Sequence, residues 1–171
     1  MKKILLLLAF LCFSVSLIAQ NVKALDAKNG FRDFKFGDDI STFKDLVLVE
    51  ESNDGITKFF HISGDKLAIG SSELEVLVYG FYKDKLFSVS IRTKGLTNSR
   101  GVLMALQELY GKGVKENRFM EKYMWFGSKV YAVYDENSIT NDASIMFISR
   151  PIVNQKNQDE KQSAKRASDD L

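Results

Sequence analysis

The stretch LEVLVYGFYKDKLFSVSIRT, Leu74 to Thr93, decides the fold. Two runs of β-forming residues, Leu74–Phe81 and Leu86–Thr93, flank a polar reversal at Lys83-Asp84, which is the pattern of an antiparallel hairpin. A two-residue loop at Lys83-Asp84 and a four-residue loop at Tyr82–Lys85 give the same register. In that register Phe87 faces Gly80, Val89 faces Val78, Ile91 faces Val76 and Thr93 faces Leu74 on one side of the sheet. On the other side Glu75 meets Arg92, Leu77 meets Ser90 and Tyr79 meets Ser88. A slip of one residue would exchange the faces. Several buried apolar side chains at ~1.5–3 kcal/mol each outweigh one opposed charge pair at about 1 kcal/mol or less, so the apolar face sets the pairing. The second face holds Leu77, Tyr79 and Phe81 beside Ser88 and Ser90. Either this strand is central and covered on both sides, or these five residues line an apolar groove, floored by serines, that receives a ligand or partner.

Outward from this hairpin, FRDFKF (Phe31–Phe36) alternates imperfectly and predicts a short edge strand that ends at Gly37. Asp38 or Asp39 is a candidate N-cap for a short helix near 39–47, with Ile40, Phe43, Leu46 and Val47 on one side. Leu46–Glu51 and Ile56–Ile62 read as strands around the turn Ser52-Asn53-Asp54-Gly55. A longer helix near 99–110 has Asn98 or Ser99 as N-cap, Gly111 as its stop, and a stripe of Val102, Ala105, Leu106, Leu109 and Tyr110. Phe119–Phe126 and Lys129–Asp135 form a second hairpin with Gly127-Ser128 as a two-residue loop. There Trp125 meets Val130, Tyr123 meets Ala132 and Glu121 meets Tyr134, with Phe119, Tyr123, Trp125, Val130 and Ala132 on the core face. Ala143–Ser149 is the last strand, and Pro151 marks the domain edge. The expected architecture is α+β: a single, mainly antiparallel twisted sheet of about six to eight strands with two helices packed on it.

Lys2 and Lys3 precede an apolar run from Ile4 to Ile18. This is a basic region followed by a secretory core too short for a membrane span, with cleavage expected between Ala19 and Gln20. A lipoprotein would need acylation at Cys12, but Leu11 before it is not small. The chain divides into a signal peptide (1–19), a lead-in (20–30) that is flexible or a short helix, one α+β domain (31–152) and a polar tail (153–171) without aromatic residues that is disordered or a frayed helix. Loss of the signal removes Lys2 and Lys3 from 24 basic residues against 22 acidic ones, and the formal charge falls from +2 to zero. That excludes an electrostatic case for nucleic acid. It also removes the only cysteine, and with it disulfides, a thiolate nucleophile and thiolate metal sites.

The sequence assigns no catalytic, cofactor-binding or metal-ligating residue. His61 is the only histidine and reads as a half-buried strand residue. Asp38-Asp39 and DENSITND (Asp135–Asp142) offer oxygens without the spacing of a calcium loop. Gly111-Lys112-Gly113 lacks the phosphate-loop spacing and follows a helix where such a loop would precede one. Glu73, Glu75, Asp84, Glu108, Glu121, Asp135 and Glu136 supply carboxylates. A hydrolase built on them needs a pair ~5–9.5 Å apart in a cleft, one with a raised pKa.

FRDFKFG with a short helix, YGFYKDKLFSVSI, a helix ending in Tyr-Gly, and YMWFGSKVYAVYD occur here together. As a set they resemble small exported bacterial proteins of uncharacterised function, and the leader's final Ala-Gln is similar to leaders of Bacteroidota. The layout also resembles β-lactamase-inhibitor proteins and BamE-like assembly modules. These likenesses imply turns, caps and core positions and bring no catalytic residue. The expectation is therefore a non-enzymatic binding module exported to the cell envelope, periplasmic or secreted. It has no cofactor and no transmembrane span after cleavage, and it has an envelope protein or small apolar ligand as partner. The alternatives are a carrier of a small apolar ligand or lipid, and a carboxylate-dependent hydrolase of envelope polymers.

Overall fold

The computed structural model describes residues 22–169; residues 1–19, expected to be a signal peptide, lie outside the described residues together with Cys12. The fold is α+β. Seven strands form one antiparallel sheet: β3 (Leu46–Glu51), β4 (Thr57–Ile62), β7 (Val76–Tyr82), β8 (Lys85–Thr93), β9 (Glu121–Phe126), β10 (Val130–Glu136) and β11 (Ala143–Ser149). Their order is β3-β4-β7-β8-β11-β10-β9, so the hairpin β7–β8 lies at the centre. Two small hairpins, β1 (Gly30–Phe31) with β2 (Phe34–Lys35) and β5 (Ala68–Ile69) with β6 (Ser72–Glu73), stand apart from it. Helix α1 spans 22–28, α2 is Gly95–Tyr110 and α3 is Arg150–Asp169.

The central hairpin keeps the predicted register only next to its turn, where Tyr82 meets Lys85 and Phe81 meets Leu86. Phe87 is then an extra residue on β8, a β-bulge. Beyond it Gly80 faces Ser88, Tyr79 faces Val89, Leu77 faces Ile91 and Val76 faces Arg92. The expected pairing of Leu77 and Tyr79 with the serines is overturned. The physical reason is burial. The bulge unites Leu77, Tyr79, Phe81, Leu86, Val89 and Ile91 on one face, where all are buried. An unbulged ladder would split them between two faces. Phe87 turns to the opposite face and stands near Phe59, ring centroids 6.2 Å apart. Gly80 makes room there, because a Cβ on it would come within 2.9 Å of the Phe59 ring.

Other expectations change for equally local reasons. FRDFKF closes on itself as β1–β2, with Arg32 at φ 52° in the turn, and does not join the main sheet. The short helix contracts to one 3₁₀ turn, Ile40–Thr42, because Leu46 and Val47 pair with Ile62 and His61 in β3–β4. Asp39 does cap it, accepting from the Ser41 amide at 3.0 Å. Hydrogen bonds from Ser41, then Lys85, hold the Asp39 carboxyl down at about 2. Helix α2 starts earlier than expected, since the Asp142 carboxylate accepts from the Gly95 amide at 2.8 Å. Its buried stripe is Ser99, Val102, Leu103, Leu106 and Tyr110, while Ala105 and Leu109 stay exposed. Gly101 lets α2 approach β6, where a Cβ would collide with Ser72 Oγ.

In β9–β10 the loop is four residues long, with Phe126 facing Tyr131 and Trp125 facing Ala132. The shift of two residues preserves the faces, so Trp125, Val130 and Ala132 enter the core as expected. It also opposes Glu121 to Glu136, where Tyr134 was expected. Phe119 lies outside the core, 78% exposed. The loop is shaped by α1. Asp26 accepts from the amides of Ser128 (2.7 Å), Lys129 (2.8 Å) and Val130 (3.0 Å) and from the Ser128 hydroxyl. Burial alone would raise the Asp26 carboxyl, but these bonds outweigh it and hold it below the usual range. Residues 22–30 of the expected lead-in are thus held in place through Leu25, which is fully buried, and Asp26. The described part of the polar tail, up to Asp169, is helical as α3, one of the two forms expected for it. It buries no residue completely, so helix-forming side chains, a proline confined to its first turn and the Lys156–Glu160 pair sustain it. Asp159 anchors it to Tyr82 Oη and Lys83 Nζ, both at 2.7 Å.

Candidate functional site

The two faces of the sheet are treated unequally. One is packed under α2, α1 and the Phe31–Phe43 segment into a single core that includes Leu25, Phe43, Tyr79, Leu106, Trp125 and Phe147. The other face holds an open trough of about 550 Å³. Strand pairing places Val78, Ser90, Met146 and Val133 in one row across its middle. The row toward α3 is Gly80, Ser88, Ile148 and Tyr131, and the row on the other side is Val76, Arg92, Ser144 and Asp135.

The shape of the trough follows from side-chain size. Outward residues of β8 are Ser88 and Ser90, whereas the strands beside it present Val76 and Val78 on one side and Met146 and Ile148 on the other. Small residues on the middle strand make a floor and the branched or long ones make walls. Val49 and Phe59 extend the apolar lining toward β3. The rim carries charge of both signs, paired as Arg92–Glu75 at 3.5 Å and Lys122–Asp135 at 3.0 Å. Met146 is 42% exposed in the middle of this surface.

Of the five residues expected to line a groove, the structure brings only Ser90 to this lining. Ser88 is on the same face but buried beside Gly80. Leu77, Tyr79 and Phe81 lie on the opposite face, inside the core. The bulge exchanges the side chains expected to flank these serines. Leu86-Phe87, two adjacent large apolar residues that break the alternation, is the one local signal of that exchange.

The polar clusters of the molecule hold elements together. Arg32 joins Asp65 in an ion pair and donates to the carbonyls of Lys66 and Ala68. Tyr79 donates to the same Asp65 at 2.6 Å, and burial, then this carboxylate, pushes its phenol well above the ordinary range. Arg100 of α2 donates to Glu121 at 3.0 Å and to Glu136 at 2.9 Å, and Tyr134 donates to Glu136. Lys115 and Tyr123 complete the shell of Glu121 at 2.7 and 2.8 Å. The bond from Lys115, then that from Tyr123, lowers the Glu121 carboxyl. That is the opposite of what a general acid in a carboxylate-pair hydrolase needs. Gly113, with positive φ, approaches the Trp125 ring closely, and Trp125 Nε1 donates to Gly111 O at 2.7 Å. The Gly-Lys-Gly stretch therefore seats a tryptophan. His61, expected to be half-buried, is exposed on β4.

Among the described residues no group of three His, Cys, Asp or Glu side chains is placed to hold a metal ion, and no helix is long and apolar enough to cross a membrane. Every buried side-chain nitrogen or oxygen among them has a hydrogen-bond partner. The trough thus offers apolar area and shape, with hydrogen-bonding capacity at the rim. No family model, curated protein or solved structure matches the chain.

Proposed function

We propose that this chain is a non-enzymatic binding module exported to the bacterial cell envelope, and that the trough receives its partner. The supporting observation is the uncovered centre of the sheet: an apolar hollow of about 550 Å³ at the middle strands, where a folded domain ordinarily lays a helix or a second sheet. Contiguous exposed apolar surface of this kind marks interaction sites. The rim pairs cations with carboxylates, so recognition rests on apolar contact and fit, with no preference for a polyanion. The basic start and apolar run from Lys2 to Ile18 support export. The lowered carboxyl of Glu121 and its three bonded donors weigh against the hydrolase alternative.

The test is capture from envelope extract by the mature domain, side by side with Met146→Lys. Met146 lies on the open face, outside the core cluster, so the lysine leaves the core intact. A stoichiometric partner held by the native chain and lost with Met146→Lys is the expected result. Capture that survives both Met146→Lys and Val78→Lys refutes the assignment of the trough.

A further inference from the structure

A second cleft lies on the opposite face, between α2 and the β1–β2 hairpin, with a volume of about 280 Å³. Its floor reaches the buried side chains of Val102, Leu106 and Phe147, and its mouth is formed by Ala105 and Leu109. Those two are the members of the apolar stripe of α2 that the fold leaves uncovered. No carboxylate lines the cleft, whereas Lys28 and Arg32 do. Arg32 is committed to Asp65 and two carbonyls. Lys28 donates to the carbonyl of Arg32, and an ammonium has three donors, so it retains capacity for an anion. Lys35 donates to Lys28 O at 2.8 Å.

We infer that this cleft binds a single-chain alkyl carboxylate, with its tail along α2 and its head at Lys28. The pairing of an apolar hollow with a cationic rim gives the class of ligand: an amphiphile with one negative end. At roughly 30 Å³ for a group the size of water, the hollow has room for a chain on the order of eight to ten methylenes. The inference is independent of the trough.

Dodecanoate, titrated calorimetrically into the mature chain below its micelle concentration, should bind saturably near one equivalent. Dodecyltrimethylammonium, with the same tail and the opposite charge, should bind about tenfold more weakly or worse. Ala105→Trp fills the mouth from an exposed helical position and should abolish binding with unchanged circular dichroism. Leu109→Lys is a second such block. Lys28→Glu should weaken dodecanoate about tenfold and narrow the gap between the two amphiphiles. Equal affinity for both amphiphiles overturns the inference, as does binding untouched by Ala105→Trp and Leu109→Lys. Binding lost through Met146→Lys would place the ligand in the trough and overturn it too. Sedimentation with phosphatidylglycerol vesicles in the absence of dodecanoate binding would identify a bilayer surface as the partner and sink it equally.

Discussion

Replacing Arg100 by methionine should destabilise the domain out of proportion to the loss of one surface charge. The guanidinium spans Glu121 at 3.0 Å and Glu136 at 2.9 Å, and the Glu136 side chain is only 2% exposed. Methionine keeps much of the packing of the stem but leaves a buried carboxylate without its cation. Breaking a buried pair from one side costs about 3–5 kcal/mol. Arg100 is itself 40% exposed, so solvent already screens part of the interaction and the figure falls to ~2–3 kcal/mol. For a domain of this size that corresponds to a fall in melting temperature of about 5–10 °C. In urea the midpoint should drop with the slope unchanged. The double variant Arg100→Met with Glu136→Gln should regain most of the loss, because the neutral amide can still accept from Tyr134 and no charge is stranded. A single variant within about 0.5 kcal/mol of the native chain, or a double variant no better than the single, refutes the reasoning. The same cluster sets an acid limit. Glu121 is lowered from its ordinary 4.5 by Lys115, then Tyr123. A carboxyl lowered in the folded state adds stability above its unfolded value, and that stability disappears as the pH falls through its folded value. Stability should therefore decline from about pH 4.5 downward, and Glu121→Gln should flatten that decline in acid denaturation curves.

Three further outcomes follow from single contacts. Gly101→Ala should lower the melting temperature although alanine is the better helix former by about 1 kcal/mol, since its Cβ meets Ser72 Oγ; adding Ser72→Ala should restore most of the loss, and a stabilised single variant would contradict the packing. Asp26→Ala should speed amide exchange at Ser128, Lys129 and Val130, measured by NMR, because those three donors lose their acceptor. Asp159→Ala should speed exchange throughout α3 while leaving global melting nearly unchanged, because α3 buries no side chain fully; a cooperative loss of the whole domain would show that α3 is part of the core.

The strands and the antiparallel class were legible because alternation reports burial directly. The turns at Lys83-Asp84 and Ser52–Gly55 were legible from their residue types. The faces of β7 were not, because one inserted residue at Phe87 inverts a reading that assumes a strict period of two. The candidate site inherited that inversion: Ser90 lies on the open face, whereas its expected neighbours Leu77, Tyr79 and Phe81 went to the core. The start of α2 depended on Asp142, which lies 47 residues away in sequence. The loop after β9 depended on Asp26, at a separation of 102 residues or more. Such partners leave no trace in local pattern. Between disorder and a frayed helix the polar tail was left open, because burial was the criterion applied, and α3 is sustained by helix propensity with one anchored carboxylate.

The fastening of Asp26 onto residues 128–130 also orders events in time. In a chain emerging from its amino end, α1 precedes every main strand, yet the groups that dock it arrive only after five of the seven main strands have passed. Until then Leu25 has no finished pocket and Asp26 no amides to hold. Docking of α1 is thus a contact of long sequence separation, of the kind that forms late and slows folding.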